Sequence, residues 1–282
     1  MADSRLLRSI DEYLDAVPRP ATDPEDIGPF TLFRSLAPWP YYARPRIGFE
    51  GRIDPGDVRD LRAAQRERGT AETIEWIHEV APSLAGSASA AGLHVVAYPL
   101  MALAAADFAP VQPPDGVEVR LLGHDDEAFD ATHAVADVGF RFGGTAVGSQ
   151  GPNERDAAAQ SALPAISEFR RLRAREGWTV SAGAFTADGP ISVGSHQPLG
   201  GATEIVGVAT LPSWRRRGIG AAVTTMLVAD ALVRGIETIF LSAGSEDVAR
   251  VYARLGFRRV GTAGAAEPPP NSEASPATEQ AA

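Results

Sequence analysis

The stretch from Glu204 to Gly220, EIVGVATLPSWRRRGIG, constrains the fold of this chain more than any other. It begins with a short run rich in β-branched residues, Ile205, Val206 and Val208, which is typical of a buried strand. Pro212 ends the strand because it has no N–H to donate to a sheet. Three arginines and two glycines follow, and apolar residues then recur at helical spacing from Ile219 onward. The pattern predicts a strand, an arginine- and glycine-containing turn, and the start of a helix.

A turn of this kind is suited to binding phosphate. The first N–H groups of a helix have no partner within the helix, and they point along the positive end of its dipole. Gly218 and Gly220 carry no Cβ, so an anion can approach the backbone closely. The P-loop pattern G-x-x-x-x-G-K-[ST] is absent. The alternative is that Arg215, Arg216 and Arg217 form a solvated face at the helix start.

The pattern R-x-x-G-x-G at 215–220, preceded by T-x-P at 210–212, resembles the acyl-CoA signature of the GNAT superfamily of N-acyltransferases. The segment 236–261, IETIFLSAGSEDVARVYARLGFRRVG, resembles the next strand of that superfamily, its tyrosine-bearing helix and its Leu-Gly-Phe turn. The resemblance implies a mixed α/β (α+β) fold, with a central, mostly antiparallel twisted sheet flanked by helices.

The resemblance also implies a reaction, the direct transfer of an acetyl or other short acyl group from acyl-CoA to a primary amine of a small molecule. Acetyl-CoA is then the co-substrate. The strand before the turn splays from its neighbour in the superfamily, and Gly207 lies where a β-bulge would open the ladder. The alternative is an ordinary ladder. The implied CoA contacts are Val208, Ala209, Thr210, Arg215, Arg216, Arg217, Gly218, Ile219, Gly220 and Ser245. Ser245 departs from the superfamily, which often has an asparagine at this place.

Tyr252 and Glu204 are the predicted catalytic residues. By resemblance, Tyr252 protonates the leaving thiolate; the alternative is a tyrosine buried only for packing. The resemblance also implies that Glu204 is the base for the protonated amine, because some members of the superfamily have a glutamate at the start of this strand; the alternative is a solvated carboxylate. Alternation places Glu204 on the face of Val208 and Thr210 unless a bulge intervenes. His196 is the second candidate base, although a single histidine is more often structural.

Two other functions remain open at this stage. A non-catalytic acyl-CoA-binding regulatory module would keep the phosphate turn without a working acid and base. A protein or peptide N-acetyltransferase would need an acidic groove for a basic segment, which the net charge of −10 permits.

Composition limits the partners. The net charge of −10 disfavours nucleic acid and anionic membranes. The chain has no cysteine, which excludes a disulfide framework, and we expect no metal site. It has no lysine and almost no asparagine, which indicates a bacterial genome of high GC content. No signal-peptide core is recognised, so the expected location is the cytoplasm. We expect the protein to be a monomer or a homodimer.

The domain organisation follows from the Pro-rich stretch 109–116, which we interpret as a linker. We predict an α/β domain over 1–108, the acyltransferase domain over 117–263 and a disordered tail over 264–282. The triplet Ala-Gly-Leu at 91–93 is similar to Leu-Gly-Phe at 255–257, each between a helix and a strand. The first domain is therefore either a degenerate copy of the second or similar by chance.

Periodicity predicts the elements of the first domain as helices over 4–17, 55–68 and 71–80 and strands over 30–35 and 93–103. The aromatic run Trp39, Tyr41 and Tyr42 either lines an acceptor pocket or packs structurally. In the second domain we predict a strand over 117–122, helices over 127–139 and 153–176, and a hairpin around Asp188-Gly189. The glycine-rich stretch 139–151 is either a loop near the acceptor or a connector.

Overall fold

A computed structural model describes residues 2–269 of the 282. The helices are α1 (Ala2–Ala16), α2 (Pro55–Glu67), α3 (Leu84–Ala90), α4 (Phe129–Arg141), α5 (Pro152–Ser161), α6 (Pro164–Arg175), α7 (Ile219–Val233) and α8 (Glu246–Ala253). The strands are β1 (Thr22–Ile27), β2 (Phe30–Ser35), β3 (Ala43–Pro45), β4 (Ile74–Ile77), β5 (His94–Leu103), β6 (Glu118–Leu122), β7 (Val180–Thr186), β8 (Gly189–Leu199), β9 (Ala202–Thr210), β10 (Thr238–Ser242) and β11 (Arg258–Glu267).

The chain divides into two compact units whose boundaries differ from the predicted ones. The first unit contains the residues up to Leu100 together with the stretch that begins at Val260, and the second contains Met101–Arg259. The expected linker belongs to the second unit, because Ala109 donates its N–H to the Leu255 carbonyl at 3.1 Å. The expected boundary at residue 116 is therefore replaced by one within β5.

The first unit has the strand order β1-β2-β3-β4-β11-β5. Strands β1 to β3 pair antiparallel, β3 and β4 pair parallel, and β4 and β11 pair antiparallel. Its core is formed by apolar side chains of these strands and of the helices α2 and α3, including Phe30, Leu32, Leu61, Ile74 and Leu84.

The second unit has the strand order β10-β9-β8-β7-β6, antiparallel except for the parallel pair β9–β10. Its core includes Val193, Ile205, Val223, Leu227 and Phe257. In each unit a strand is followed by a helix and then by a parallel strand: β3, α2, β4 in the first and β9, α7, β10 in the second. The mixed α/β, mostly antiparallel fold is thus confirmed, and both units contain this strand–helix–strand motif.

Two elements of the first unit differ from the sequence-based expectation. Residues 74–77 form β4 instead of a helix, because Ile74, Trp76 and Ile77 are buried in the sheet. Strand β1 was not predicted, since its sequence TDPEDI is acidic and contains a proline. It lies at the edge of the sheet, where a missing N–H is tolerated.

The tail does not begin at Gly264. The residues from Ala263 to Ala266 pair with Ile77 to Ile74, and the Trp76 ring packs over Gly264. A Cβ at Gly264 would lie 2.3 Å from that ring, so the strand needs glycine there. Most of the expected tail, 270–282, lies outside the described residues. Among the described residues no helix is long and apolar enough to span a membrane.

Glu75 on β4 gives the first unit a pH-dependent stability. Burial raises the pKa of Glu75 from its ordinary 4.5 to about 7, and the positive charge of Arg44 opposes the shift. The folded unit therefore binds the Glu75 proton more tightly than the unfolded chain does. The stability that this group contributes is complete below pH 4.5 and is lost as the pH rises to about 7.

We expect Glu75→Gln, which imitates the protonated acid, to be more stable than the wild type above pH 7 and equally stable near pH 4. The difference in unfolding free energy is at most about 3 kcal/mol, and the partial exposure of the side chain reduces it. Urea unfolding at the two pH values measures it, with the exposed Glu50→Gln as the control. If the wild type and Glu75→Gln are equally stable above pH 7, this prediction is wrong.

Candidate active site

The parallel strands β9 and β10 separate soon after they begin. They pair only where Ala202 to Glu204 face Thr238 to Phe240. Strand β9 continues to Thr210 and β10 to Ser242 without further pairing between them in the described part of the chain. The backbone of β9 beyond Glu204 is therefore left without a strand partner on this side, as the resemblance implied.

A β-bulge at Gly207 reorients the second half of β9. Val206 pairs with Ser195 and Ala209 with Val193, so two residues of β9 face the single residue Gly194 of β8. Gly207 has φ +64, a left-handed conformation that glycine adopts at little cost. The predicted bulge is present.

The bulge decides which side chains share a face with Glu204. Because cross-strand partners lie on one face, Glu204 lies with Val206 and Ala209, on the side packed by α4. Val208 and Thr210 lie on the opposite side, against α7. Simple alternation would place Glu204 on the same face as Val208 and Thr210. The bulge changes this for the residues after Gly207, as the sequence-based prediction allowed.

Helix α7 begins without a side-chain cap. Its N-cap residue Gly218 has φ +79, and the first turn contains no acidic residue. Arg216, at φ +63, and Arg217 are exposed beside this turn. The Ile219 side chain belongs to the core, so only its backbone faces the turn. The first N–H groups of α7 are thus available to an anion.

The corresponding helix of the first unit begins differently. Asp54 and Asp57 occupy the start of α2, and the Asp57 carboxylate accepts the Asp54 N–H at 2.8 Å. These carboxylates already complement the positive end of the helix dipole and repel a phosphate.

Arg215 does not direct its guanidinium to the turn. It donates to the carbonyls of Gly139 at 2.7 Å, Phe142 at 2.7 Å, Ala146 at 3.2 Å and Thr210 at 3.2 Å. Burial lowers the pKa of Arg215 from its ordinary value. Any phosphate contact of Arg215 would have to come from its backbone, which the sequence pattern did not indicate.

Helix α8 carries Ser245 and Tyr252. Ser245 is the N-cap, and its hydroxyl oxygen accepts the Val248 N–H at 3.2 Å, which leaves the hydroxyl proton to donate elsewhere. Tyr252 is only 9% exposed and packs edge-on against Phe257, with ring centroids 5.9 Å apart. Burial raises the pKa of Tyr252 above that of a free tyrosine, so the hydroxyl stays protonated at neutral pH.

His196 is not placed to act as a base. The side chain is fully buried between Thr203 Oγ1 and Asp230 Oδ2, each 2.9 Å from a ring nitrogen. Asp230 lies on α7, so His196 lies on the side of the sheet opposite Glu204. Burial lowers the pKa of His196, and the ring connects β8 and β9 to α7.

Sequence reasoning missed a polar chain on the Glu204 side of the sheet. Ser195 and Ser181 are cross-strand neighbours with hydroxyls 2.9 Å apart, and Ser181 Oγ lies 3.4 Å from His133 Nε2. Burial is the largest cause that lowers the pKa of His133 to about 3, so the imidazole is neutral. The three residues lie on β8, β7 and α4, and no local pattern could have connected them.

The aromatic run lies in the first unit. Tyr42 packs edge-on against Phe33 with ring centroids 6.2 Å apart, which favours a structural role for this residue. Within residues 2–269 no group of three or more His, Cys, Asp or Glu side chains is arranged to hold a metal ion.

Comparison with known proteins bears on the family and the fold. Residues 158–257 match the sequence model of the Acetyltransferase (GNAT) family. A GCN5-related N-acetyltransferase from Kribbella flavida has a similar structure, with a TM-score of 0.71 and 21% identity, covering 95% of this chain and 97% of that one. A comparison with curated proteins gave no match.

Two further solved structures share the fold. A tandem GNAT protein from the clavulanic acid biosynthesis pathway has a TM-score of 0.56 and 16% identity, covering 90% of this chain and 85% of that one. A GCN5-related N-acetyltransferase-like protein from Streptococcus suis has a TM-score of 0.52 and 11% identity, covering 94% of this chain and 98% of that one. At these identities the structures establish the fold alone.

Proposed function

We propose, from the premise that residues 158–257 form a domain of the GNAT acetyltransferase family, that this protein is an acyl-CoA-dependent N-acetyltransferase. Its acceptor is a primary amine of a small molecule in the cytoplasm. The observation that carries the proposal is the juxtaposition, at one end of β9, of a splayed strand and an uncapped helix start. Backbone groups for a pantetheine arm and N–H groups for a pyrophosphate then lie next to each other in the chain.

The residues present fit acetyl-CoA. Gly218 is exposed, and a Cβ at Gly220 would meet Thr210 Oγ1 at 3.5 Å and Val208 Cγ1 at 3.8 Å, so the turn lies against the end of β9. The N–H groups of Gly218 and Gly220 and the exposed Arg216 and Arg217 would bind the pyrophosphate. The backbone from Val208 to Thr210 would bind the pantetheine arm. Acetyl-CoA, when bound, supplies the acyl group activated as a thioester.

Two side chains would move protons. Glu204, on the α4 side of β9, would take a proton from the ammonium of the acceptor so that the free amine can attack. Tyr252, protonated at neutral pH, would give its proton to the thiolate that leaves. A backbone N–H beside the Gly207 bulge would stabilise the oxyanion of the tetrahedral intermediate.

The proposal is tested by incubating the protein with acetyl-CoA and a panel of primary amines and measuring free thiol. We expect Glu204→Gln to lower kcat/KM by about 10²-fold near neutral pH, with partial recovery at high pH where the amine loses its proton unaided. Glu237→Gln, which changes an exposed glutamate just before β10, is the control and should act as the wild type.

The outcomes separate the rival functions. Acetyl-CoA binding without thiol release for any small amine or peptide would identify a binding module instead of an enzyme. Thiol release with basic peptides alone would identify a peptide N-acetyltransferase. A Glu204→Gln variant with unchanged kcat/KM would remove Glu204 from the role of base.

A further inference from the structure

Arg215 ties a distant segment of the chain to the turn that precedes α7. Its guanidinium donates to the Gly139 carbonyl at the end of α4 and to the Phe142 and Ala146 carbonyls just after it. A cation at these positions also complements the negative end of the α4 dipole. Arg215 therefore caps the C-terminus of α4 and holds the start of the segment 142–151 by hydrogen bonds.

The same segment is attached to this turn at two more points. Gly148 donates its N–H to the Pro212 carbonyl at 3.1 Å, and Ser213 donates its N–H to the Gln150 carbonyl at 3.0 Å. The contact is close, since a Cβ at Gly148 would lie 3.0 Å from Pro212 Cβ. The segment 142–151 thus lies along residues 212–215, directly before the phosphate-binding turn.

The segment lies on the side of the sheet that carries the proposed base. A Cβ at Gly139 of α4 would lie 2.9 Å from Ala209 Cβ, and Ala209 shares its face with Glu204. The segment is uncharged, and it exposes Phe142 at 42% and Val147 at 60%. These exposed apolar side chains therefore belong to a segment attached near the end of β9, on the side of the sheet where Glu204 lies nearer the start of the same strand.

We propose that Arg215 is a positioning residue that couples acyl-CoA binding at residues 216–220 to the order of the segment 142–151 on the acceptor side. The inference rests on the proposed function. Phosphate held by the backbone after Arg215 restricts the turn, and this restriction stabilises the bonds of the guanidinium to the segment. By linkage, an ordered segment strengthens acyl-CoA binding to the same degree.

Hydrogen–deuterium exchange of the wild-type protein tests the coupling without any substitution. Acetyl-CoA should slow the exchange of the Gly148 amide, which is bonded to Pro212, as well as the amides of 216–220. Protection at 216–220 with unchanged exchange throughout 142–151 would overturn the inference. No protection anywhere would instead show that acetyl-CoA does not bind, which is a failure of the proposed function.

The variant Arg215→Lys keeps the charge but cannot reach four carbonyls in a planar arrangement. Arg215 bonds the carbonyl of the Phe142–Gly143 peptide, which chymotrypsin would cleave. We expect the initial rate of cleavage at this bond to be about tenfold higher in the variant. A factor of this size corresponds to the loss of one hydrogen bond from a charged group. Acetyl-CoA should protect this bond in the wild type but not in the variant.

Steady-state kinetics give a second measurement. In Arg215→Lys the KM for the acceptor and the Kd of acetyl-CoA should both rise, each by up to about tenfold, because the coupling between the two sites is reciprocal. Arg171→Lys is the matched control, because Arg171 also bonds a backbone carbonyl, that of His124, but near the other end of α4. Equal cleavage rates and equal acceptor KM in the two variants would overturn the role of Arg215.

Discussion

Replacing Tyr252 with phenylalanine is expected to lower kcat by roughly 10²–10⁴-fold while leaving the affinity for acetyl-CoA unchanged. The substitution removes only the hydroxyl. The ring keeps its edge-on contact with Phe257, so α8 and the core remain packed. The loss of kcat would therefore report the missing proton donor and not a disturbed fold.

Single-turnover thiol release and acetyl-CoA titration by calorimetry measure the two quantities separately. Tyr13→Phe removes the hydroxyl of another buried tyrosine, in the first unit, and should leave kcat unchanged. If Tyr252→Phe keeps its kcat within about threefold of the wild type, Tyr252 is a packing residue and the thiolate receives its proton elsewhere.

Replacing Gly220 with glutamate is expected to weaken acetyl-CoA binding by at least about 10²-fold, because it places a carboxylate where the pyrophosphate would bind. The variant should fold normally. A Cβ at Gly220 would meet Thr210 Oγ1 at 3.5 Å and Val208 Cγ1 at 3.8 Å, which are ordinary contacts. An acidic residue in the first turn also favours the helix dipole.

The first unit supplies a matched control. Gly56 is the second residue of α2, as Gly220 is the second residue of α7, and a Cβ at Gly56 would contact nothing within 4 Å. Because Asp54 and Asp57 already occupy the start of α2, Gly56→Glu should leave acetyl-CoA binding unchanged, at one molecule per chain. Calorimetry that finds equal affinities in the two variants would remove the turn 216–220 from the binding site.

Local sequence determined much of the second unit. The proline in EIVGVATLP and the glycines after it predicted the end of β9 and the start of α7 within a residue or two. The helix predicted over 153–176 is divided at Pro164 into α5 and α6, and Asp188-Gly189 lies at the turn of the β7–β8 hairpin, as predicted. These features follow from the backbone chemistry of single residues, so they need no knowledge of distant partners.

Tertiary structure alone decided the roles of individual side chains. The guanidinium of Arg215 bonds a carbonyl 76 residues away in sequence, and His196 bonds Asp230, 34 residues away. Glu204 obtained its face from a one-residue bulge, and the residues from Ala263 to Ala266 became a strand because β4 offers them an edge. Local sequence patterns predict backbone dihedral angles and the face of an element on which a residue lies. The role of a polar side chain depends instead on the partner that the fold places within about 3 Å of it. That partner is determined by the packing of segments that are distant in sequence.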